Sequence, residues 1–337
     1  MVETKLIDKV RQFLAPIQGR DIDLMQLRRD LNIDPASPAW DGLRMILLRL
    51  SEGENPLIRP TGRKDGSYRV ITQVKPVRVF APGRERRQPY MLIFPKEKAT
   101  GLEMWFADQI TIREGDFIFI AGVSNFGKTL LALEFCAQNI DKKPVLMGNE
   151  YTTWNSEKQE FEPHSRFLNR LDKMDWVKWV DDEGMDKFTL LPVRDDYASH
   201  VVKDRINIID WVNLKEHYDI GHVCEEIKKA SGRGISIVVE QKGEGASAGR
   251  GGQFTKDFTD VEILLDPFGK DEILLTLGKV KEPKPGVRLY GKTYAYSIWD
   301  GVEIRNFREV VTCPQCKGKS VTAGKCDKCN SKGKVDA

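Results

Sequence analysis

The densest chemistry in the chain is an eight-residue stretch: Gly122, Val123, Ser124, Asn125, Phe126, Gly127, Lys128 and Thr129, spaced as G-x-x-x-x-G-K-[ST]. Such a loop binds the phosphates of a nucleoside triphosphate. Its backbone N–H groups converge on one concavity, and the helix that follows adds the positive end of its dipole. Lys128 would reach the β- and γ-phosphates, and the Thr129 hydroxyl would ligate Mg²⁺. A second constellation lies near the C-terminus. Cys313-Pro-Gln-Cys316 and Cys326-Asp-Lys-Cys329 are two C-x-x-C pairs separated by nine residues. Four thiolates at this spacing suit a tetrahedral structural Zn²⁺ with no open catalytic position; disulfides are the alternative. Cys136 and Cys224 stand singly in apolar, helix-like settings and read as core.

The phosphate loop needs a strand before it and a helix after it. Phe117 to Ala121 is an apolar run that reads as a buried strand, and Leu130 to Ile140 reads as a helix. Beyond it, strands and helices alternate, which predicts a parallel sheet with helices on both faces. Pro144 to Gly148 is a strand running into Glu150, a carboxylate placed to orient the attacking water. Asn207 to Ile209 runs into Asp210, the pattern in which an Asp holds Mg²⁺. Ile235 to Val239 runs into Glu240 and Gln241. Phe188 to Pro192, Val261 to Leu265 and Ile273 to Leu277 are further strands, and a last strand pair is expected within Tyr290 to Trp299. Lys242 to Asp257 is a glycine-rich loop whose length marks it as functional or mobile.

Residues 1–77 have the order of a small winged helix-turn-helix. Leu6, Ile7, Val10, Phe13 and Leu14 mark one helix, and Leu24, Leu27 and Leu31 a second. Leu43, Ile46, Leu47 and Leu50 mark a third, with Ser37-Pro38 at its start; a hairpin turns at Lys64-Asp65-Gly66. Trp40, Arg44 and Arg49 are expected on the outer face of the third helix, and Arg59, Arg63, Lys64 and Arg69 on the wing. Such a unit binds duplex DNA or serves as a protein–protein module. Residues 78–98, with Arg84, Arg86 and Arg87, read as a basic linker. Residues 1–90 carry a net charge of +6 and residues 313–337 one of +4 in a chain of net +3, so the middle is acidic. Basic ends suit a polyanion, though they also serve as plain solubilising surface. No apolar run approaches the length of a bilayer crossing, and MVETKLIDKV lacks a signal-peptide core. No membrane and a cytoplasmic location are therefore expected.

Taken in order, residues 100–308 resemble the RecA-like ATPases, most closely the motor domain of DnaB-type replicative helicases. VLMGNE (Val145 to Glu150) is similar to the strand whose Glu is the catalytic base. IIDWVNL (Ile208 to Leu214) resembles the Walker B strand. VVEQ (Val238 to Gln241) resembles the strand whose Gln senses the γ-phosphate, and FTDVEILL (Phe258 to Leu265) a further strand of the family. GKVKEPKPG (Gly278 to Gly286) resembles the segment that carries a finger pair into a neighbouring subunit's site, here Lys279 and Lys281 where one Arg is usual, with Arg288 as a substitute. The resemblance implies an α/β RecA-like domain over 99–310; the winged-helix unit before it, which stands where DnaB-type proteins have a helical domain, and the Cys₄ knuckle over 311–337 are read from their own residues. It implies a DNA-dependent ATPase with ATP and Mg²⁺ as cofactors, beside the Zn²⁺ that the cysteine spacing suggests, assembled as a homo-oligomer, a hexameric ring, working as a helicase in replication or recombination. Single-stranded DNA would pass through the channel against Lys242, Arg250 and Lys256. A recombinase filament and a KaiC-like ATP-switched regulator that binds DNA without unwinding it are the alternatives.

Overall fold

The computed structural model describes residues 2–53, 55–74, 79, 80, 83, 85–214, 219–244, 246–250, 252, 254–319 and 325–337. Arg78, Pro82 and Arg84 of the expected linker, and Gly245, Gly251 and Gln253 of the glycine-rich loop, lie outside them. The chain forms two compact units, Met1–Arg84 and Glu85–Ala337.

In the first unit, α1 (Val2–Leu14), β1 (Asp21–Asp23), α2 (Leu24–Asp30), α3 (Pro38–Ser51), β2 (Ile58–Pro60) and β3 (Ser67–Val70) follow one another. The strands form a sheet of order β1-β3-β2. Val10, Leu14, Leu27, Leu43, Ile46, Leu47, Ile58 and Val70 bury their side chains together, so the helical stripes read from the sequence make one core. This is the element order of a winged helix-turn-helix. Strand β1 was not foreseen, because Asp21-Ile22-Asp23 is charged; its carboxylates face the wing. The Ser37 side chain does not cap α3; its hydroxyl donates to the Asp34 carbonyl (2.7 Å). Asp23 does cap α2, accepting from the Met25 N–H (2.8 Å). Trp40 is not an outward-facing residue. It is half-buried against the core with the Arg28 guanidinium 5.8 Å from its ring.

The second unit begins before the expected boundary at residue 99. Phe94 is fully buried, edge-on to Phe106 and Phe135, and Tyr90 and Leu92 pack beside it. The arginines and Pro-Gly upstream suggested a linker, but the apolar run from Tyr90 to Phe94 belongs to the core. The elements then run β4 (Phe117–Gly122), α4 (Lys128–Gln138), β5 (Val145–Met147), β6 (Thr152–Asn155), β7 (Glu160–Pro163), α5 (Ser165–Lys173), β8 (Thr189–Leu191), α6 (Tyr197–His200) and β9 (Ile206–Ile209). They continue with α7 (Ile220–Ala230), β10 (Ile235–Gln241), α8 (Phe254–Asp257), β11 (Val261–Phe268), β12 (Glu272–Val280), β13 (Thr293–Trp299), β14 (Glu303–Thr312) and β15 (Lys334–Asp336).

Among the described residues the main sheet has ten strands, in the order β15-β14-β13-β12-β11-β4-β10-β9-β5-β8. Strands β11 to β8 are mutually parallel; β12 to β15 extend the sheet antiparallel, so it is mixed. Strand β4 shows why its residues are apolar without alternation. Ile118 and Ile120 pack under α4, while Phe117, Phe119 and Ala121 pack under α7, so both faces are covered. The strand order sets the Gln241 strand between the phosphate-loop strand and the Asp210 strand, in an α/β fold with helices on both faces of the sheet. The expected strand pair within Tyr290 to Trp299 is a single strand. Its partner is Glu303–Thr312, which crosses the boundary expected at residue 310.

Gly148 ends β5 with φ of +127°, and a Cβ there would overlap the Asp210 backbone. This close approach sets Glu150 beside the end of β9. Replacing Gly148 with Ala is expected to lower unfolding free energy by at least ~2 kcal/mol in denaturant titration, because both the backbone angle and the contact become unfavourable.

Candidate active site

The parallel strands β4, β5, β9 and β10 end on one edge of the sheet, and their ends build a cleft of about 460 Å³. It is lined by Ser124 to Leu130, Glu150, Arg170, Trp211, Gln241, Ile298 and Gly301. The phosphate loop forms as its glycines dictate. Gly127 has φ of +75°, and a Cβ on Gly122 would meet the Lys128 stem. Gln241 lies in register with Gly122 on the adjacent strand.

Lys128 is buried at the start of α4, and its Nζ donates to the Val123 carbonyl (2.8 Å). Burial lowers its pKa, which the carboxylates of Asp210 and Glu150 oppose. Asp210 is fully buried, and burial pushes its pKa up to about 6 against donation from the Thr129 and Tyr151 hydroxyls. The Tyr151 hydroxyl stands 3.2 Å from Asp210 Oδ2, while Oδ1 has no hydrogen-bond partner among the described residues. A buried, half-satisfied carboxylate beside a threonine hydroxyl fits Mg²⁺, which would take the residual charge. Glu150 is exposed to the cleft, and the Trp211 indole N–H donates to its Oε1 (3.2 Å). Tyr151 and Trp211 adjoin the two acidic residues in sequence, and that adjacency was the available signal for both. Arg170 had none. It reaches the cleft because the β6–β7 hairpin, also unforeseen, returns the chain into α5.

The remaining expected residues fall elsewhere. Lys279 and Lys281 lie at the opposite edge of the sheet. Val280 pairs with Val261, which pairs with Ile118, four residues before Gly122, or roughly 13 Å along the strand. Lys281 Nζ binds Asp260 Oδ1 (2.9 Å), and Lys279 Nζ donates to the Lys256 carbonyl. Neither enters its own chain's cleft. Arg288 lies outside the cleft as well.

Lys242 is not a DNA contact. Its side chain is fully buried, bound to Asp266 Oδ1 (2.5 Å) and to the Gly243 and Ala246 carbonyls. The desolvation of Lys242 is compensated, among the described residues, by these acceptors. Lys256 sits 3.6 Å from Glu262, which is fully buried. Arg250 is exposed, and its charge reaches both Lys128 and Glu240. Arg44 and Arg49 are exposed on α3, alongside Met45 and Leu48, each 48% exposed. Arg63 and Lys64 pair with Asp21 (3.9 Å) and Asp23 (3.0 Å), so β1 offsets the basic wing.

The four cysteines come together. Their sulfurs all lie within 4.8 Å of one another, with Cys313–Cys326 at 3.9 Å and Cys316–Cys329 at 3.7 Å. Zn–S bonds of ~2.3 Å in a tetrahedron put sulfurs ~3.8 Å apart, so the set is compatible with zinc. The cluster is built onto the sheet: it joins β14 to β15, and the Cys313 N–H donates to the Gly333 carbonyl (2.9 Å).

No family model matches the chain, and no curated protein matches it. Among solved structures it is similar to a KaiC-like protein of the hyperthermophilic archaeon Pyrococcus horikoshii OT3, at 15% identity and a TM-score of 0.43, over 65% of this chain and 99% of that one. The fold assignment rests on the strand order and the phosphate loop. Among the described residues no helix is long and apolar enough to cross a membrane.

Two predictions follow from this geometry. Burial pushes the pKa of Glu240 up to about 8, and its Oε2, beneath Gly249, has no hydrogen-bond partner among the described residues. The folded state therefore holds a proton that the unfolded chain releases near pH 4.5, and stability from this group falls as pH rises from there to about 8. Glu240→Gln is expected to raise the melting temperature by several degrees at pH 9, with the gain shrinking toward pH 5. Chelation is expected to remove about one equivalent of zinc per chain, read by mass spectrometry. It should also raise hydrogen exchange in β15 and lower the melting temperature, and Cys316→Ser should reproduce both effects.

Proposed function

We propose that this chain is an ATPase of the RecA and DnaB type that acts on DNA as a homo-oligomer. The observation that carries the reading is the convergence of Lys128, Thr129, Glu150, Asp210 and Gln241 at one sheet edge. Water held by Glu150 attacks the γ-phosphorus in line. The bond from the bridging oxygen to the γ-phosphorus breaks, ADP leaves with that electron pair, and the water proton passes to Glu150 and solvent. Lys128 holds the β- and γ-phosphate oxygens, and Gln241 reports the γ-phosphate to the glycine-rich loop that begins at the next residue. Mg²⁺, held by Thr129 and Asp210, supplies charge neutralisation when bound. Arg250 on that loop and Arg44 on α3 are the exposed cations that favour DNA. Unwinding by a hexameric ring is the finer form of this reading.

A second reading is an ATP-switched regulator. The exposed Met45 and Leu48 on α3 and the carboxylate-paired wing favour a protein partner for the first unit.

The test is ATP hydrolysis with and without single-stranded DNA, alongside fork unwinding, for wild type, Lys128→Ala and Glu150→Gln. The expected result is stimulation by single strands, loss of nucleotide binding in Lys128→Ala, and hydrolysis reduced roughly 10²–10⁴-fold with binding retained in Glu150→Gln. Hydrolysis indifferent to DNA, without unwinding, would favour the switch.

A further inference from the structure

The transferred phosphoryl group spreads negative charge over three equatorial oxygens, and a cation beyond the loop lysine commonly meets it, from a neighbour or from the same chain. The segment expected to supply that cation from a neighbour offers lysines, and both are engaged at the far edge of the sheet. The cleft contains another cation. Arg170 lines it together with Lys128, Thr129, Glu150 and Gln241.

Its position is rigidly set. The β6–β7 hairpin carries the chain out from Glu150 and back into α5, which the His164 side chain caps by accepting from the Arg166 N–H (3.0 Å). Phe167 on that helix is buried against Tyr151, ring centroids 5.1 Å apart, and Tyr151 holds Asp210. Leu171 packs into the same core, and its carbonyl accepts from the Trp179 indole (3.1 Å). Residue 170 is thus tied through two buried rings to the metal-binding carboxylate. The guanidinium itself makes no hydrogen bond or ion pair among the described residues, whereas Lys173 on the same helix binds Asp300 (2.6 Å). A half-buried arginine left unpaired in a cleft that carries Glu150 is suited to an anionic substrate, and its planar fork matches phosphate oxygens.

We propose that Arg170 is a catalytic residue acting in cis: it contacts the γ-phosphate of ATP bound by the same chain and stabilises the charge that develops as the bond from the bridging oxygen breaks. The proposal rests on the ATPase reading above and replaces the neighbour's finger with a group from the chain that binds the nucleotide.

The experiment uses the full chain with Mg-ATP and three variants: Arg170→Ala, Arg170→Gln and the double variant Lys279→Ala/Lys281→Ala. The expected result is a kcat lower by 10²-fold or more in both Arg170 variants, with affinity for a non-hydrolysable ATP analogue changed less than about tenfold and melting temperature unchanged. Mixing Arg170→Ala with Lys128→Ala chains distinguishes cis from trans. A cis residue leaves every site of the mixture defective, so activity stays lost. Recovery of activity in the mixture, or a kcat within threefold of wild type in Arg170→Gln, would overturn the proposal while leaving the ATPase reading intact. Wild type that hydrolyses no ATP would overturn both.

Discussion

Parallel strands all finish on one edge of their sheet, and the rest of this molecule depends on that constraint. A triphosphate needs backbone donors, a lysine, a metal-holding carboxylate and a base within a few ångströms of each other. Strands β4, β5, β9 and β10 deliver the phosphate loop, Glu150, Asp210 and Gln241 to that edge because their hydrogen-bond register leaves them no other place to end. The energetic cost is the burial of Asp210, which raises its pKa to about 6 and leaves Oδ1 without a hydrogen-bond partner among the described residues.

The same sheet also explains what does not reach the site. Strand β12 runs antiparallel to β11, so its C-terminal end, with Lys279 and Lys281, falls at the edge opposite the loop. The glycine-rich segment is fastened on that scaffold by pairing its cations with carboxylates of the sheet: Lys242 with Asp266 and Lys256 with Glu262. Charge that looked available for a polyanion is largely spent within the fold, and Arg250 is left exposed. The wing repeats the pattern with Asp21 and Asp23. These wing pairs are solvent-exposed and screened by water, so a stronger anion or a partner can displace them.

The cysteine cluster belongs to this architecture too. It closes the turn between β14 and β15, and Arg308 and Lys332 both bind Glu272 on β12, by contacts of 2.6 and 2.8 Å. The knuckle is therefore the tip of the sheet's antiparallel extension.

From the chain alone one could read whatever local chemistry dictates. The phosphate loop is legible because only glycine tolerates its angles and close approaches, and the strand ends at Glu150, Asp210 and Gln241 because an apolar run broken by a polar residue marks the end of a buried strand. The paired cysteines are legible because a four-thiolate metal site would require such spacing. The helical stripes of the first unit are legible because a period of 3.6 residues needs no partner to be recognised. What tertiary structure decided is which charges meet. By charge alone Lys242 and Lys256 suit DNA and Arg170 has no role; in the fold both lysines face carboxylates and Arg170 lines the cleft. Sequence records the sign of a charge and not its neighbour, and pairing across strands such as β10 and β11 is set by the sheet. The β6–β7 hairpin and strand β1 were missed for a related reason: both are short, polar and half-exposed, so no hydrophobic period announces them. Yet the hairpin brings Arg170 to the phosphate loop, and strand β1 determines how much of the wing's charge is available.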